Sequence, residues 1–252
     1  MSTIESPLTD HPVVSREEWL AARRQHLQRE KEVTRLRDAL HEERRALPWV
    51  RVDKEYVFQG PNGPETLAEL FGGNSQLMIY HFMYAPGWQE GCPGCSFICD
   101  HIDGANLHLA HHDVTLLAVS RAPIEEFQAF KKRMGWNFKW VSSHGSDFNF
   151  DYHASFTKDR IARGEALYNF APKTTGGDGE THGVSVFYSA ADGAIYHTYS
   201  TYARGCDILL GAHNFLDMTP LGRNEKSTMD WMRHHDKYET AVPVHTCCAG
   251  AG

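Results

Sequence analysis

The sequence predicts an α/β protein in which helices flank a central mixed β-sheet. Three observations carry this prediction. An apolar, β-prone run at 76–84 leads into a C-x-x-C motif where a helix begins, a strand and a helix of the same kind follow, and a hairpin pattern comes after the third strand. The two successive strand–helix repeats predict parallel strands joined by helices, and the hairpin adds antiparallel strands.

The composition excludes several classes of protein. The chain has 252 residues, of which 41% are apolar and 12% aromatic, enough to fill the core of one large domain. A net charge of −7 without a Lys/Arg run argues against nucleic acid as a partner. Because no secretory leader or membrane-length apolar run is found, we expect a cytoplasmic protein without a membrane partner. Six cysteines are too few for a disulfide scaffold.

The first 47 residues are predicted to lie outside the sheet. Residues 1–14 read as a flexible arm. Ser15 and Glu18 have the spacing of a capping box, and the charged sequence that follows predicts an N-terminal helical extension at 15–47. We expect its apolar stripe to pack on the domain or to join two copies as a homodimer; an arginine-lined wall over the active site is the alternative. The stripe consists of Trp19, Leu20, Leu27, Val33, Leu36 and Leu40.

The sheet is predicted within a domain at 48–240. A short strand at 56–58 and a brief helix at 67–71, capped by Thr66, come first. The core follows as strand, dithiol helix, strand, helix and strand, at 76–84, 95–111, 113–120, 123–134 and 138–143.

A loop-rich insertion at 145–180 and a hairpin complete this domain. The hairpin, at 184–188 and 194–199, is expected to supply antiparallel edge strands, with a helix after it and a mobile tail at 241–252. The order strand, dithiol helix, strand, helix, strand, hairpin, helix is that of a thioredoxin-like fold. The hairpin after the third strand distinguishes it from a doubly wound nucleotide-binding sheet.

Cys92 and Cys95 are the candidate catalytic residues. A helix N-terminus offers unpaired N–H groups and partial positive charge, so the first cysteine should be the more acidic one. Pro93 and Gly94 form a tight turn that keeps the two sulfurs close enough for a reversible disulfide or for one metal ion. Tyr84 and Trp88, in the loop before the dithiol, either line a substrate pocket or pack in the core.

Several further segments, spread over residues 15 to 240, carry a resemblance to a known family. They are Glu30-Lys31-Glu32, Tyr80-His81-Phe82-Met83, the motif at 91–96, Ser120-Arg121-Ala122-Pro123, Arg133-Met134-Gly135-Trp136, Asp147-Phe148-Asn149, His197-Thr198-Tyr199-Ser200 and Arg204-Gly205. The chain resembles the thioredoxin-like bacterial family called domain of unknown function 899, often labelled predicted dithiol-disulfide oxidoreductases. The resemblance implies that Cys92 is the attacking thiol and Cys95 the resolving thiol.

The resemblance also reveals a departure from thioredoxins. Those proteins place a cis-proline just before the strand that faces the dithiol, whereas Thr181-His182-Gly183 stands here. His182 is therefore a candidate substrate-binding residue. His182 or His197 could also approach the two cysteines and complete a Cys, Cys, His site, which suits copper or zinc.

Three functions stay open at this point. The first is a thiol-dependent oxidoreductase that needs no cofactor and acts on a small thiol, a peroxide or a protein disulfide. The second is a copper or zinc carrier or metalloenzyme, and the third is a non-catalytic interaction protein that dimerises through its long helix. Cys99 and Cys206 are expected in the core, and the histidines at 108–112 on the surface.

Overall fold

A computed structural model describes residues 11–238 of the chain. Most of the predicted arm at 1–14, and the whole predicted tail at 241–252, lie outside the described residues. The α-helices are α1 Arg16–Arg45, α2 Pro93–Cys99, α3 Ile102–Ala110, α4 Ile124–Arg133, α5 Phe148–Asp151, α6 Lys158–Ala162 and α7 Gly211–Leu216, with 3-10 segments at Glu69–Phe71, Ala203–Leu209 and His235–Lys237.

The strands are mostly short, and the longest ones form the centre of the sheet. In chain order they are β1 Val50–Arg51, β2 Val57–Gly60, β3 Gly63–Thr66, β4 Gln76–His81, β5 Val114–Ser120, β6 Trp140–Ser142, β7 Ser155–Phe156, β8 Leu167–Tyr168, β9 Ala171–Pro172, β10 Gly179–Glu180, β11 Gly183–Ser189 and β12 Ile195–Tyr202.

Eight strands form one mixed sheet in the order β1-β12-β11-β4-β5-β6-β2-β3. Strands β4, β5 and β6 are parallel, and β11 pairs antiparallel with both β4 and β12. The unit β5-β4-β11-β12, with helices after β4 and β5, confirms the thioredoxin-like fold. The predicted edge position of the hairpin is wrong, because Val50 and Arg51 of β1 pair with β12 and make the hairpin internal.

The sheet separates two apolar cores, and β4 contributes to both. Tyr80 belongs to the core beneath the dithiol helix, together with Trp140, which stacks on Phe127 at a ring-centroid distance of 4.5 Å. Ile79 belongs to the opposite core, where His81 stacks on Phe148. This alternation is the period of two that a half-buried strand imposes on its side chains.

The predicted dithiol helix at 95–111 is two helices, α2 and α3. The His101 ring Nδ1 lies 2.8 Å from the Phe97 carbonyl oxygen, the acceptor that a continuing α-helix would assign to the His101 backbone N–H. That backbone N–H instead donates to Ile98. The side chain thus replaces one helical hydrogen bond and ends α2.

The N-terminal helix α1 forms as predicted, and the capping box between Ser15 and Glu18 is present. No residue of α1 is buried, so the predicted packing of its stripe on the domain is wrong for the single chain. Near its C-terminal end, the Arg44 guanidinium lies 4.8 Å from the ring centroid of Tyr199 in β12. Within residues 11–238, no helix combines the length and the apolar character needed to cross a membrane.

Candidate active site

The first cysteine of the motif lies at the N-terminal end of α2. Cys92 is the N-cap residue, and Pro93 occupies the first turn, where its missing N–H costs no helical hydrogen bond. The Cys92 N–H donates to the Met83 carbonyl at 3.2 Å, which ties the motif to the chain leaving β4. The Cys92 side chain stays partly exposed, whereas Cys95 is 1% exposed.

The two thiols have opposite electrostatic environments. A hydrogen bond from the Cys95 thiol, helped by the backbone N–H groups of Cys95 and Gly94, lowers the pKa of Cys92 to about 6 against the opposing effect of burial. Burial, followed by the interaction with Cys92, raises the pKa of the Cys95 thiol. The expected difference in acidity is therefore present, with Cys92 the thiolate and Cys95 the hydrogen-bond donor at neutral pH.

Two polar groups lie beside the sulfur of Cys95. The Met83 N–H donates to its Sγ at 3.4 Å. The fully buried Tyr80 hydroxyl, from β4, also lies beside this sulfur and holds the pKa of Cys95 down against burial. Within residues 11–238, that hydroxyl has no hydrogen-bond partner. The sequence alone predicts no role for Tyr80 beside Cys95, since the direction of its side chain depends on the register of β4.

A C-terminal segment at 229–237 covers the loop that carries the dithiol. A methyl group placed on Gly94 would lie 3.7 Å from the Cys92 sulfur and 3.6 Å from the terminal methyl carbon of Met232, so Met232 and Cys92 flank the same point. The buried His234 ring Nε2 lies 2.9 Å from the Gly91 carbonyl oxygen. Sequence reasoning did not connect this segment with the site, because over 130 residues separate Cys92 from Met232.

The two aromatic candidates for a substrate pocket have different positions. Of the two alternatives for Tyr84, the structure favours packing, because the residue is fully buried in the aromatic core and donates its hydroxyl to the Glu126 carbonyl at 3.2 Å. Trp88 is 38% exposed, and its ring centroid lies 6.5 Å from the ring centroid of Tyr84. A substrate contact of Trp88 stays a prediction.

The structure does not assemble the predicted Cys, Cys, His metal site. His197 packs against Tyr152 and Phe187 of the core opposite α2, so its ring cannot approach the thiols. The His182 Nε2 lies 3.2 Å from the Ala203 carbonyl oxygen, and burial lowers the pKa of this ring. Among residues 11–238, no three His, Cys, Asp or Glu side chains converge as metal ligands.

Cys99, Cys206 and the histidines at 108–112 lie where the sequence predicts them. Cys99 and Cys206 are buried in the same core as Cys95, and burial raises the pKa of both thiols. The residues His108, His111 and His112 are all exposed. Every peptide bond in the described residues is trans, including the one before Gly183.

Fold and site together define a thioredoxin-like protein with an asymmetric C-x-x-C pair. The chain belongs to the family described as "Bacterial protein of unknown function (DUF899)", whose model matches residues 8–238. No curated protein matches it.

Solved structures of peroxiredoxins are among those similar to this chain. The peroxidoxin BcpB of Mycobacterium tuberculosis is 11% identical, with a TM-score of 0.45 over 64% of this chain and 92% of its own. A Xylella fastidiosa PrxQ mutant is 13% identical, with a TM-score of 0.41 over 64% and 88%. The Xanthomonas campestris peroxiredoxin Q is 16% identical, with a TM-score of 0.40 over 62% and 88%. These similarities are too distant to assign an activity.

The acidity of Cys92 should depend on its neighbour. In the reduced protein, the rate of Cys92 alkylation by iodoacetamide should rise with pH around a midpoint of about 6, because only the thiolate reacts. Cys95→Ala removes the leading hydrogen bond, so the midpoint should move towards the ordinary value of about 8.5. Cys99→Ala, one helical turn further on, is the matched control and should leave the midpoint unchanged. Equal midpoints in wild type and Cys95→Ala would contradict this account.

Gly91 should be essential to the geometry of the dithiol loop. A Cβ atom there would lie 2.5 Å from the Phe82 ring and 2.8 Å from the Phe130 ring. Gly91→Ala should therefore lower the free energy of unfolding by about 1–3 kcal/mol, as overpacking does, in urea titrations. Gly104→Ala in α3 is the control, since nothing lies within 4 Å of its added Cβ. It should be neutral or stabilising.

Proposed function

We propose that this protein is a thiol-dependent oxidoreductase in which Cys92 is the nucleophile and Cys95 the resolving thiol. The supporting observation is the unequal pair: a partly exposed sulfur whose pKa is about 6, beside a buried thiol that donates to it. A nucleophile of this acidity is ionised at neutral pH. The neighbouring protonated thiol of Cys95 can then attack the oxidised Cys92 sulfur and form a disulfide.

With a peroxide, the reaction proceeds in two steps. The Cys92 thiolate attacks the terminal peroxide oxygen, the O–O bond breaks, and the departing alkoxide takes a proton from water, which leaves Cys92 as a sulfenic acid. Cys95 then loses its proton and attacks the Cys92 sulfur, so that an S–S bond forms and water departs. The two electrons come from the two sulfurs, and an external dithiol returns the couple to its reduced form.

The surroundings of Cys92 favour a small oxidant. The segment at 229–237 covers the dithiol loop, and Met232 lies near the sulfur. An extended protein chain would have to displace this segment, whereas a peroxide or a small disulfide would not. Trp88 and His182 are the residues proposed to contact such a substrate. A reducing cytoplasm would supply the electrons.

This reaction requires no bound cofactor, because the sulfur atoms carry both electrons. Copper or zinc binding remains the competing proposal, although His182 faces the Ala203 carbonyl and His197 lies in the opposite core. Elemental analysis of protein purified without added metal separates the two. Stoichiometric copper or zinc that is lost in Cys92→Ser would contradict the redox proposal.

The two cysteines should have different roles in turnover. With hydrogen peroxide and an external dithiol, Cys92→Ser should reduce the rate to that of the uncatalysed reaction, because no other described thiol is partly exposed. In the absence of the dithiol, Cys95→Ser should still consume one equivalent of peroxide and stop as a Cys92 sulfenic acid, detected by mass spectrometry after trapping. Cys99→Ser should turn over normally. If peroxide does not oxidise the protein but small disulfides do, the Cys92–Cys95 redox couple is supported and its oxidant is a disulfide. If neither oxidant reacts, the proposal is wrong.

Tyr80 should act as a positioning residue for Cys95. While Cys95 attacks, its sulfur carries negative charge in a buried site, and the neighbouring Tyr80 hydroxyl can donate to it. Tyr80→Phe keeps the ring and removes that donor, so disulfide formation from the sulfenic acid should slow about tenfold, the effect of one hydrogen bond. The first step, measured separately by stopped-flow, should keep its rate. A purely structural role would slow both steps or neither.

A further inference from the structure

Helix α1 carries an apolar surface that its own domain does not cover. It has 30 residues, none of them buried, and Val33 and Leu36 are 62% and 70% exposed. A helix of this length extends about 45 Å. Because helices in water gain most of their stability by packing an apolar face, this surface is suited to a partner.

The spacing of the surface is that of a coiled coil. Trp19, His26, Val33 and Leu40 follow one another at intervals of seven residues, and Leu36 lies three residues after Val33. These are the a and d positions of a heptad, which face a second helix.

Two observations bear on this assignment of positions. A frame that starts at Leu20 would place a charged residue at every d position, namely Arg23, Glu30, Arg37 and Arg44, and is therefore rejected. In the chosen frame the four d positions are Ala22, Arg29, Leu36 and Glu43, so the closest apolar packing is confined to the stretch from Val33 to Leu40.

The charges beside the apolar surface select a second copy of the same helix, in parallel orientation. In a parallel pair, each g residue faces the e residue five positions further along the partner. Glu18 then faces Arg23 and Glu32 faces Arg37, while Gln25 with Glu30 and Ala39 with Arg44 carry one charge each. Every doubly charged pair is attractive. An antiparallel pair would bring e positions together, and three of the four are arginines.

We propose that α1 forms a parallel, in-register coiled coil with α1 of a second copy, in which the closest apolar packing lies between Val33 and Leu40. Both domains then lie at the same end of the coiled coil. This inference does not depend on the proposed redox activity, because it uses no residue of the dithiol site.

The test is the mass of the full, reduced chain by sedimentation equilibrium. Wild type should have twice the mass of one chain, and Leu36→Glu should have the mass of one chain, with a folded domain shown by an unchanged near-ultraviolet circular dichroism spectrum. Glu32→Arg and Arg37→Glu should each raise the Kd of the dimer about tenfold, since each turns two attractive pairs into repulsive ones. The double variant Glu32→Arg/Arg37→Glu should restore the Kd.

The matched control is Lys31→Glu, which makes the same change of charge as Arg37→Glu on the outer face of the helix, at a heptad f position. It should leave the Kd unchanged. A monomeric wild type, a dimeric Leu36→Glu, an equal effect of Lys31→Glu, or a double variant no tighter than the single ones would each overturn the proposal.

Discussion

The unequal acidity of the two thiols depends on the interaction between the buried Cys95 thiol and the partly exposed Cys92 sulfur. Its geometry exists because β4 delivers the chain to the N-terminus of α2, where the Met83 carbonyl receives the Cys92 N–H and the Met83 N–H reaches Cys95. One strand end thus holds both sulfurs. The interaction between the two thiols lowers the pKa of Cys92, while burial and then the same interaction raise the pKa of Cys95.

The aromatic core supports this arrangement from below. Phe82 and Phe130 approach Gly91 so closely that no side chain fits there, which fixes the path of the loop before Cys92. The buried ring of Tyr80 brings a hydroxyl to the Cys95 sulfur within the same core. From above, His234 binds the Gly91 carbonyl, and Arg133 and Lys237 bind Glu90. A loop held from both sides presents the thiols with little freedom, which favours a defined reaction geometry.

The N-terminal helix follows a different principle. Its end near Arg44 contacts β12, while none of its residues is buried. A helix that contributes nothing to its own core has to find its packing elsewhere or rely on capping and ion pairs, such as Arg23 with Glu30 at 2.7 Å. Self-association and redox chemistry would then occupy separate parts of the chain, and either could change without the other.

The sequence by itself determined the elements that depend on local pattern: the capped helix α1, the strands β4 and β5, the helix after Pro123, the hairpin, and the position of Cys92 at a helix N-terminus. These follow from periodicity and helix-end chemistry, which act over a few residues. Only the tertiary structure decided what depends on distant contacts. The pairing of Val50 with His197 covers the hairpin edge, packing buries Tyr84, and the face of β12 separates His197 from the thiols. The segment around Met232 reaches Cys92 only because the folded chain brings together residues that no local pattern relates.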